Sequence, residues 1–225
     1  MESFDLLFPT HIHFGRDVVD QVGEAVKSLG KTVLVVYGQG SVVRSGLLER
    51  VEQSLAQSGR TVVRGGGVLP NPTYANVLVL AEVAKLHQVD CVLAVGGGSV
   101  IDTAKALAGL LVHTEPDLYW TKYFEQFQPV EQALALAVVL TIPASGSETS
   151  DSCVISETTS GQKRIASGPA LVPKVSLLDP TLTISLPPYQ TACGICDMLS
   201  HLQERYFTPL VENDLTDRLL ESVMR

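Results

Sequence analysis

A carboxylate and an imidazole stand four residues apart late in the sequence, as Asp197 and His201. Residues 189–207 around them carry helix formers and no β-branched run, which predicts a helix. On a helix, side chains four positions apart lie on one face. Such a pair can bind one divalent ion and leave a coordination position open for a substrate oxygen. A hydrogen bond between the two side chains is the commoner role of this spacing, so both interpretations stay open.

Two cysteines share this predicted helix. Cys193 and Cys196 form a C-x-x-C, a spacing found in redox-active and metal-binding sites, and Cys193 lies on the stripe of Asp197 and His201. A thiolate ligand at Cys193 is one interpretation, and two small buried helix residues are the ordinary one. Cys91 and Cys153 sit in apolar, strand-like runs and are predicted to be buried thiols. The remaining histidines are predicted to be structural or solvated: His11, His13, His87 and His113.

The segment AVGGGSVIDTAKA, residues 94–106, joins an apolar strand to an amphipathic helix through three glycines and a serine. Glycines let the backbone approach a bound group, and the first N–H groups of a helix favour an anion. We therefore expect residues 97–99 to cradle a pyrophosphate, with Asp102 capping the helix or holding the loop. A tight turn without a ligand is the alternative. Because Ile101 replaces the last glycine of G-x-G-x-x-G, a dinucleotide-binding fold other than the standard Rossmann fold is favoured.

Two further loops follow apolar strands. YGQGS, residues 37–41, contains no acidic residue, whereas an Asp or Glu there would bind a ribose 2′-hydroxyl and repel a 2′-phosphate. This loop therefore favours NADP over NAD, with a plain glycine turn as the alternative. TIPASGSETS, residues 141–150, gathers hydroxyl side chains around a glycine, which suits a nicotinamide and a diphosphate. Clusters of Ser, Thr and Gly are also common in loops that bind nothing.

The elements that would position these loops alternate along the chain. Short β-branched runs separated by amphipathic stretches are typical of βαβ units and a mainly parallel sheet, and the near-continuous apolar runs predict strands buried on both faces. The predicted strands are residues 32–37, 91–95, 137–142 and 175–178, and the predicted crossover helices are residues 17–28, 46–58, 73–86 and 100–111. Residues 4–14 alternate loosely, which predicts an edge strand or a hairpin.

Leu186-Pro187-Pro188 marks a predicted boundary, because proline fixes φ and is tolerated only in the first turn of a helix. It divides the chain into an α/β dinucleotide-binding domain, residues 1–185, and the first helices of an all-helical metal-binding domain, residues 186–225. Residues 212–224 are predicted as the second of these helices. Its apolar side chains have no partner downstream and are typical of a helix that packs inside a larger helical domain: Leu215, Leu219, Leu220 and Val223.

Composition excludes several classes of protein. The 225 residues are 45% hydrophobic and 18% charged, which predicts a folded protein with a sizeable core. The net charge is −8 and no Lys/Arg-rich run occurs, so nucleic acid is not an expected partner. The N-terminus has no basic start followed by an apolar core, and the longest apolar run, residues 133–140, is too short to span a bilayer. We expect a cytoplasmic protein, since the four cysteines form no secreted disulfide framework.

In order and spacing, the motifs together resemble the iron-containing (group III) alcohol dehydrogenase family over the whole chain. They are P-T-x-I-x-F-G at residues 9–15, YGQGS, G-x-x-P-N-P at 67–72, GGGSVID, TIPASGSE, G-Q-K at 161–163, LLDP-x-L-T-x-x-LPP at 177–188 and G-x-x-D-x-x-x-H at 194–201. Each motif is weak alone. The YGQGS and PASGSE loops are most similar to the branch of NADPH-dependent butanol dehydrogenases and aldehyde reductases.

The resemblance implies a dehydroquinate synthase-like fold and reversible hydride transfer between a primary alcohol and its aldehyde. NADP, or alternatively NAD, would lie in a cleft between the α/β and all-helical domains. Fe²⁺ or Zn²⁺ would polarise the carbonyl, with Asp197 and His201 as its first two ligands. The full-length form would be a homodimer. The implied cofactor contacts are Gly38, Gly40, Ser41, Gly97, Gly98, Ser99, Asp102, Thr141, Ser145, Ser150, Lys163 and Leu182.

The sequence departs from the family pattern at the metal. The family takes two further ligands, both histidines, from later helices, and His201 is the last histidine of this chain. We therefore expect a chain truncated on its C-terminal side and catalytically incomplete. One alternative is a non-catalytic nucleotide-binding or interaction module that docks through the apolar face of residues 215–223. Another is a glycerol dehydrogenase-like enzyme, which shares the GGGS loop, although PASGSE followed by D-x-x-x-H favours the alcohol dehydrogenase branch.

Overall fold

The computed structural model describes residues 7–113, 115–209 and 214–225. Residues 4–6 of the predicted first strand and residues 212–213 of the predicted last helix lie outside these ranges. The described strands are β1 (His11–Phe14), β2 (Thr32–Gly38), β3 (Thr61–Val68), β4 (Cys91–Gly96), β5 (Ala135–Leu140), β6 (Ser152–Ser156), β7 (Lys163–Ser167) and β8 (Val175–Leu178).

The described α-helices cross between the strands and continue beyond them. They are α1 (Val22–Ala25), α2 (Ser41–Arg44), α3 (Leu47–Gln57), α4 (Tyr74–Leu86), α5 (Gly98–Leu110), α6 (Pro116–Trp120), α7 (Pro188–Tyr206) and α8 (Asp214–Met224). Short 3-10 turns cover Val18–Gln21, Pro169–Leu171 and Pro180–Thr183, and a π-helical turn covers Thr121–Glu125.

Six strands form one sheet in the order β1-β8-β5-β4-β2-β3, and every neighbouring pair is parallel. Successive side chains of a strand point to opposite faces. In β2, Leu34 and Val36 therefore join the core layer that contains α4 and α5, while Val33 and Val35 join the layer that contains α3. Helices cover both faces, which confirms the predicted α/β class with a mainly parallel sheet and buried strands.

Two parts of the sheet structure escaped prediction. β3 contains three consecutive glycines, which are poor strand formers. Gly66 is needed there because a Cβ would lie 2.6 Å from the Tyr37 ring of the neighbouring strand. β6 and β7 form a separate antiparallel hairpin in which half of the strand residues are polar and Cys153 and Ile155 alternate inward. The edge strand predicted at the start of the chain is confirmed, since β1 pairs only with β8 at the border of the sheet.

The two last helices are largely exposed. Gly194 is the one buried residue of α7. Cys193 and Cys196 are exposed free thiols, so the interpretation of both as buried residues is wrong. On α8, Leu215, Leu219 and Val223 are exposed as predicted, but Leu220 is 8% exposed and does not belong to that uncovered face. Within the described ranges, no helix combines the length and the apolar character needed to cross a membrane.

Candidate functional site

The three loops singled out in the sequence meet at one edge of the sheet. β5, β4 and β2 are parallel neighbours, so their carboxyl ends lie side by side. From β2 the chain moves outward to β3, whereas β4 and β5 lie on the other side of β2, so the strand order reverses between β2 and β4. Open α/β sheets bind ligands outside the carboxyl ends at such a reversal.

A cavity of about 810 Å³ occupies this position, which falls within the ~300–1,000 Å³ of ordinary ligand sites. It is lined by nine of the twelve cofactor contacts that the resemblance implies: Gly38, Gly40, Ser41, Gly97, Gly98, Ser99, Asp102, Thr141 and Ser145. Ser150, Lys163 and Leu182 are not among its lining residues, so their suggested contacts with a cofactor stay predictions.

Helix α5 begins at the floor of this cavity. Its N-terminal flanking residue, Gly97, has an extended backbone, and no side chain caps the helix. The first backbone N–H groups of α5 are therefore directed at the cavity without a competing side-chain acceptor, as an anion site requires. A Cβ at Gly98 would lie 2.9 Å from Ser145 Oγ, and one at Gly97 would lie 3.2 Å from the Ile142 side chain. The glycines thus let the loops after β4 and β5 approach each other closely.

Asp102 fastens the loop after β5 to α5. Its Oδ1 accepts a hydrogen bond from Ser147 Oγ at 2.7 Å, and its Oδ2 accepts one from the Val154 backbone N–H at 3.0 Å. Burial raises the pKa of Asp102 above its ordinary value, and these two hydrogen bonds oppose that shift. Asp102 does not cap α5, and the loop that it holds is the one after β5 rather than the glycine loop for which the role was predicted.

Lys105, one helical turn further along α5, was not singled out in the sequence. Its side chain is completely buried, and Nζ donates to Ser150 O at 2.7 Å, Ser150 Oγ at 3.0 Å and Ser152 O at 2.9 Å. Burial lowers its pKa to about 8, against the opposing effect of the Asp102 carboxylate. The sequence does contain a signal for this role, which is a lysine among the apolar residues of α5. A buried ammonium needs hydrogen-bond acceptors, so such a lysine predicts a polar contact inside the fold.

The YGQGS loop forms the opposite side of the cavity. Gly40 has φ 143°, in the region that favours glycine, and precedes the single turn of α2. That turn returns Arg44 to the cavity, where a Cβ on Gly40 would lie 3.2 Å from its Nη1. Arg44 was also missed, although a basic residue one turn after a glycine loop without acidic side chains was visible in the sequence.

Helix α7 crosses the loop after β5 from outside the sheet. A Cβ at Gly194 would lie 2.7 Å from Pro143 O, so the first glycine of G-x-x-D-x-x-x-H permits this crossing. The crossing places Asp197 in the wall of the cavity. His201 Nε2 lies 3.7 Å from Asp197 Oδ1, and both side chains are about half exposed, at 52% and 46%. The two share a helix face, as predicted, at a distance too long for a hydrogen bond between them.

This pair fits a divalent ion in chemistry, since a carboxylate oxygen and an imidazole nitrogen are suitable ligands for iron and zinc. The described residues contain no cluster of three or more His, Cys, Asp or Glu side chains arranged for a metal. The role of Asp197 and His201 as the first two ligands of a metal ion therefore stays a prediction.

Two of the other thiols and one of the other histidines have structural surroundings. Cys91 and Cys153 are buried, as predicted, and burial raises the pKa of Cys91 to about 12. His113 contacts Gly109 O at 2.8 Å and Tyr123 Oη at 2.9 Å, which ties α5 to the π-helical turn. These groups lie outside the lining of the cavity.

Comparison with known proteins agrees with this geometry. The model of the family "Iron-containing alcohol dehydrogenase" matches residues 9–180. The probable NADH-dependent butanol dehydrogenase 1 of Bacillus subtilis is 39% identical over 225 residues, which cover 100% of this chain and 57% of that protein. The NADPH-dependent aldehyde reductase YqhD of Escherichia coli is 34% identical, with the same two coverages.

A crystal structure of NADH-dependent butanol dehydrogenase A from Thermotoga maritima superposes with a TM-score of 0.90 at 38% identity, covering 100% of this chain and 56% of that one. The chain thus spans a little over half the length of these relatives. The match of the family model to most of the sequence and the shared fold lead to one conclusion: the chain belongs to the iron-containing alcohol dehydrogenase family.

Proposed function

We propose that these residues form the dinucleotide site, and supply two metal ligands, of an NADP-dependent alcohol dehydrogenase or aldehyde reductase. The reaction is hydride transfer between a primary alcohol and its aldehyde. One observation carries the proposal: a single cavity is lined by the three loops after β2, β4 and β5, with the Asp197 carboxylate in its helical wall. Since the chain covers 57% of its curated relatives, the reaction is proposed for the whole protein to which these residues correspond.

The order of the strands sets the direction of the dinucleotide. β4 lies between β2 and β5, so a pyrophosphate at residues 97–99 directs one nucleoside over each neighbouring strand. The adenosine then lies on residues 38–41, where the absence of an acidic side chain favours the 2′-phosphate of NADP. The nicotinamide lies toward Thr141 and Ser145, on the side of Asp197. A cofactor role for Ser150, Lys163 and Leu182 requires contacts beyond this cavity.

The proposed metal ligands are Asp197 and His201, for iron or zinc. A bound ion would act as a Lewis acid on the alcohol or aldehyde oxygen. The contribution of this chain is to present both donors from one helix face, with the carboxylate at the nicotinamide end of the cavity. When bound, the nicotinamide and the polarised oxygen would thereby lie at the same end of the cavity.

The remaining parts of the proposal concern assembly. We assign residues 1–185 to a dinucleotide-binding domain and residues 186–225 to the first helices of a helical domain, which the exposed faces of α7 and α8 support. The relatives favour a primary alcohol or aldehyde as substrate, and we expect a homodimer. Four free thiols support a reducing compartment such as the cytoplasm.

Titration of the chain with NADPH, followed by the change in nicotinamide fluorescence, tests the dinucleotide site. We expect saturable binding that Gly98→Val abolishes, because its side chain would occupy the space beside Ser145 Oγ. Ala75→Val is the matched control, since it adds atoms at an exposed position of α4 outside the cavity. A folded chain that binds neither NADPH nor NADH at millimolar concentration would overturn the proposal.

Calorimetric titration with Zn²⁺ tests the metal ligands separately. Asp197→Asn and His201→Gln should each weaken binding by about tenfold or more, since each removes one of two donors. His87→Gln is the control, because His87 is exposed at the end of α4 and distant in sequence from the pair. Equal Zn²⁺ affinity in all four proteins would refute the assignment.

A further inference from the structure

The charges around the cavity are unevenly distributed. Among the described residues that line it, Arg44 carries the only positive side chain, and Asp102 and Asp197 carry the negative ones. Asp102 is already bonded by Ser147 and by a backbone N–H on the β5 side, and Asp197 lies on α7 against the loop after β5. Arg44 lies beyond β4, next to the loop after β2. The two ends of the cavity therefore attract opposite charges.

The Arg44 side chain is turned toward the glycine loop. Its Nη1 lies close enough to Gly40 that a Cβ there would be 3.2 Å away. No ion pair within the described ranges involves Arg44, whereas Arg50 of α3 pairs with Asp17 and Asp20, and Arg64 pairs with Glu52. An exposed guanidinium held beside a backbone loop, with no carboxylate to neutralise it, is a ready partner for an anion.

We propose that Arg44 binds the 2′-phosphate of the adenosine ribose and thereby sets the preference of this site for NADP over NAD. This inference rests on the proposed function. Guanidinium recognises phosphate through up to two parallel hydrogen bonds, and the 2′-phosphate is the one group that distinguishes the two dinucleotides. Gly40 leaves open the space beside the guanidinium, which a side chain at that position would enter.

Binding of NADPH and NADH to the chain, in wild-type and Arg44→Gln forms, tests the proposal. A charge-assisted hydrogen bond corresponds to a change of about tenfold or more in affinity. We expect Arg44→Gln to weaken NADPH binding by about that factor and to change NADH binding by less than about twofold. The same loss should appear with 2′,5′-ADP as a competitor, and 5′-AMP, which lacks the 2′-phosphate, should show no such dependence on Arg44.

Arg50→Gln is the matched control, because it removes the same charge from α3 outside the cavity and costs only exposed ion pairs. Wild-type chain that binds neither dinucleotide refutes the proposed function itself. Two results would refute only the assignment of Arg44 when the wild-type chain does bind dinucleotides. In one, Arg44→Gln leaves the NADPH affinity unchanged; in the other, it lowers the affinities for NADPH and NADH equally. A wild-type chain that binds NADH more tightly than NADPH would also refute the assignment of Arg44.

Discussion

Replacement of the buried Lys105 by methionine should change how stability depends on pH. Methionine keeps most of the side-chain volume and removes the ammonium that donates to the Ser150 and Ser152 carbonyls. The pKa of Lys105 is lowered from 10.5 to about 8 by burial. Between these two values the unfolded chain binds the proton and the folded chain increasingly does not, so folding stability rises with pH. Below pH 8 the cost of the buried charge is present in full.

The magnitude follows from proton linkage. With a folded pKa of about 8 and an unfolded pKa of 10.5, the free energy of unfolding of the wild type should rise by about 1 kcal/mol from pH 8 to pH 9 through Lys105 alone. The buried cysteines act in the opposite direction, because burial raises their pKa from 9.0. Lys105 lowers the pKa of Cys153, so its loss raises that pKa further, and the thiol keeps its proton in both folded proteins over this range. The difference between wild type and Lys105→Met therefore reports the lysine.

Urea unfolding at several pH values from 7 to 9 provides the assay. Between pH 8 and pH 9, the difference in the free energy of unfolding between wild type and Lys105→Met should shift by about 1 kcal/mol in favour of the wild type. Lys85→Met is the control, because Lys85 is an exposed partner of Glu82 and its loss should leave the pH dependence unchanged. Parallel curves for wild type and Lys105→Met would refute the lowered pKa of Lys105, because they would mean that the buried Nζ keeps its proton in the folded chain up to pH 9.

Three further substitutions have defined outcomes. Asp102→Asn replaces one of the two carboxylate oxygens that accept hydrogen bonds from Ser147 and Val154. It should lower the free energy of unfolding, measured in urea, by about 1–3 kcal/mol. Gly98→Ala places a Cβ 2.9 Å from Ser145 Oγ and should weaken NADPH binding while the unfolding midpoint changes little. Gly194→Ala places a Cβ 2.7 Å from Pro143 O, which should loosen the contact of α7 and speed the hydrogen exchange of its backbone amides. This is expected even though alanine has a higher helix propensity than glycine, by about 1 kcal/mol. Unchanged exchange would argue against the close crossing.

The sequence predicted those features that depend on local pattern. β2, β4 and β8 are near-continuous apolar runs, which is the usual composition of a strand buried on both faces. The glycine loops were recognised because their residues must be small. β3 was not predicted because its three glycines are not typical of a strand. The structure explains one of them, since the Tyr37 ring packs against Gly66. No periodicity encodes the order of the strands.

The residues missed at the site depend on distant contacts. Lys105 is explained only by acceptors 45 and 47 residues away in sequence, and the two possible roles of Asp102 were separated by partners 45 and 52 residues away. Arg44 belongs to the site because one turn of α2 reverses its direction after Gly40. Distances of this kind require the fold, whereas the face shared by Asp197 and His201 required only the helix.

The contact of α7 at Gly194 has a mechanical consequence. Gly194 is the one buried residue of a helix of 19 residues, so it acts as a pivot on the Pro143 carbonyl. At a rise of 1.5 Å per residue, a tilt of 10° about this pivot moves the Asp197 backbone by about 0.8 Å and the His201 backbone by about 1.8 Å. Metal ligands must be placed to within about 0.2 Å. Of the two proposed ligands, the carboxylate near the pivot would thus be the steadier donor, and the position of the imidazole would depend on what else packs against α7.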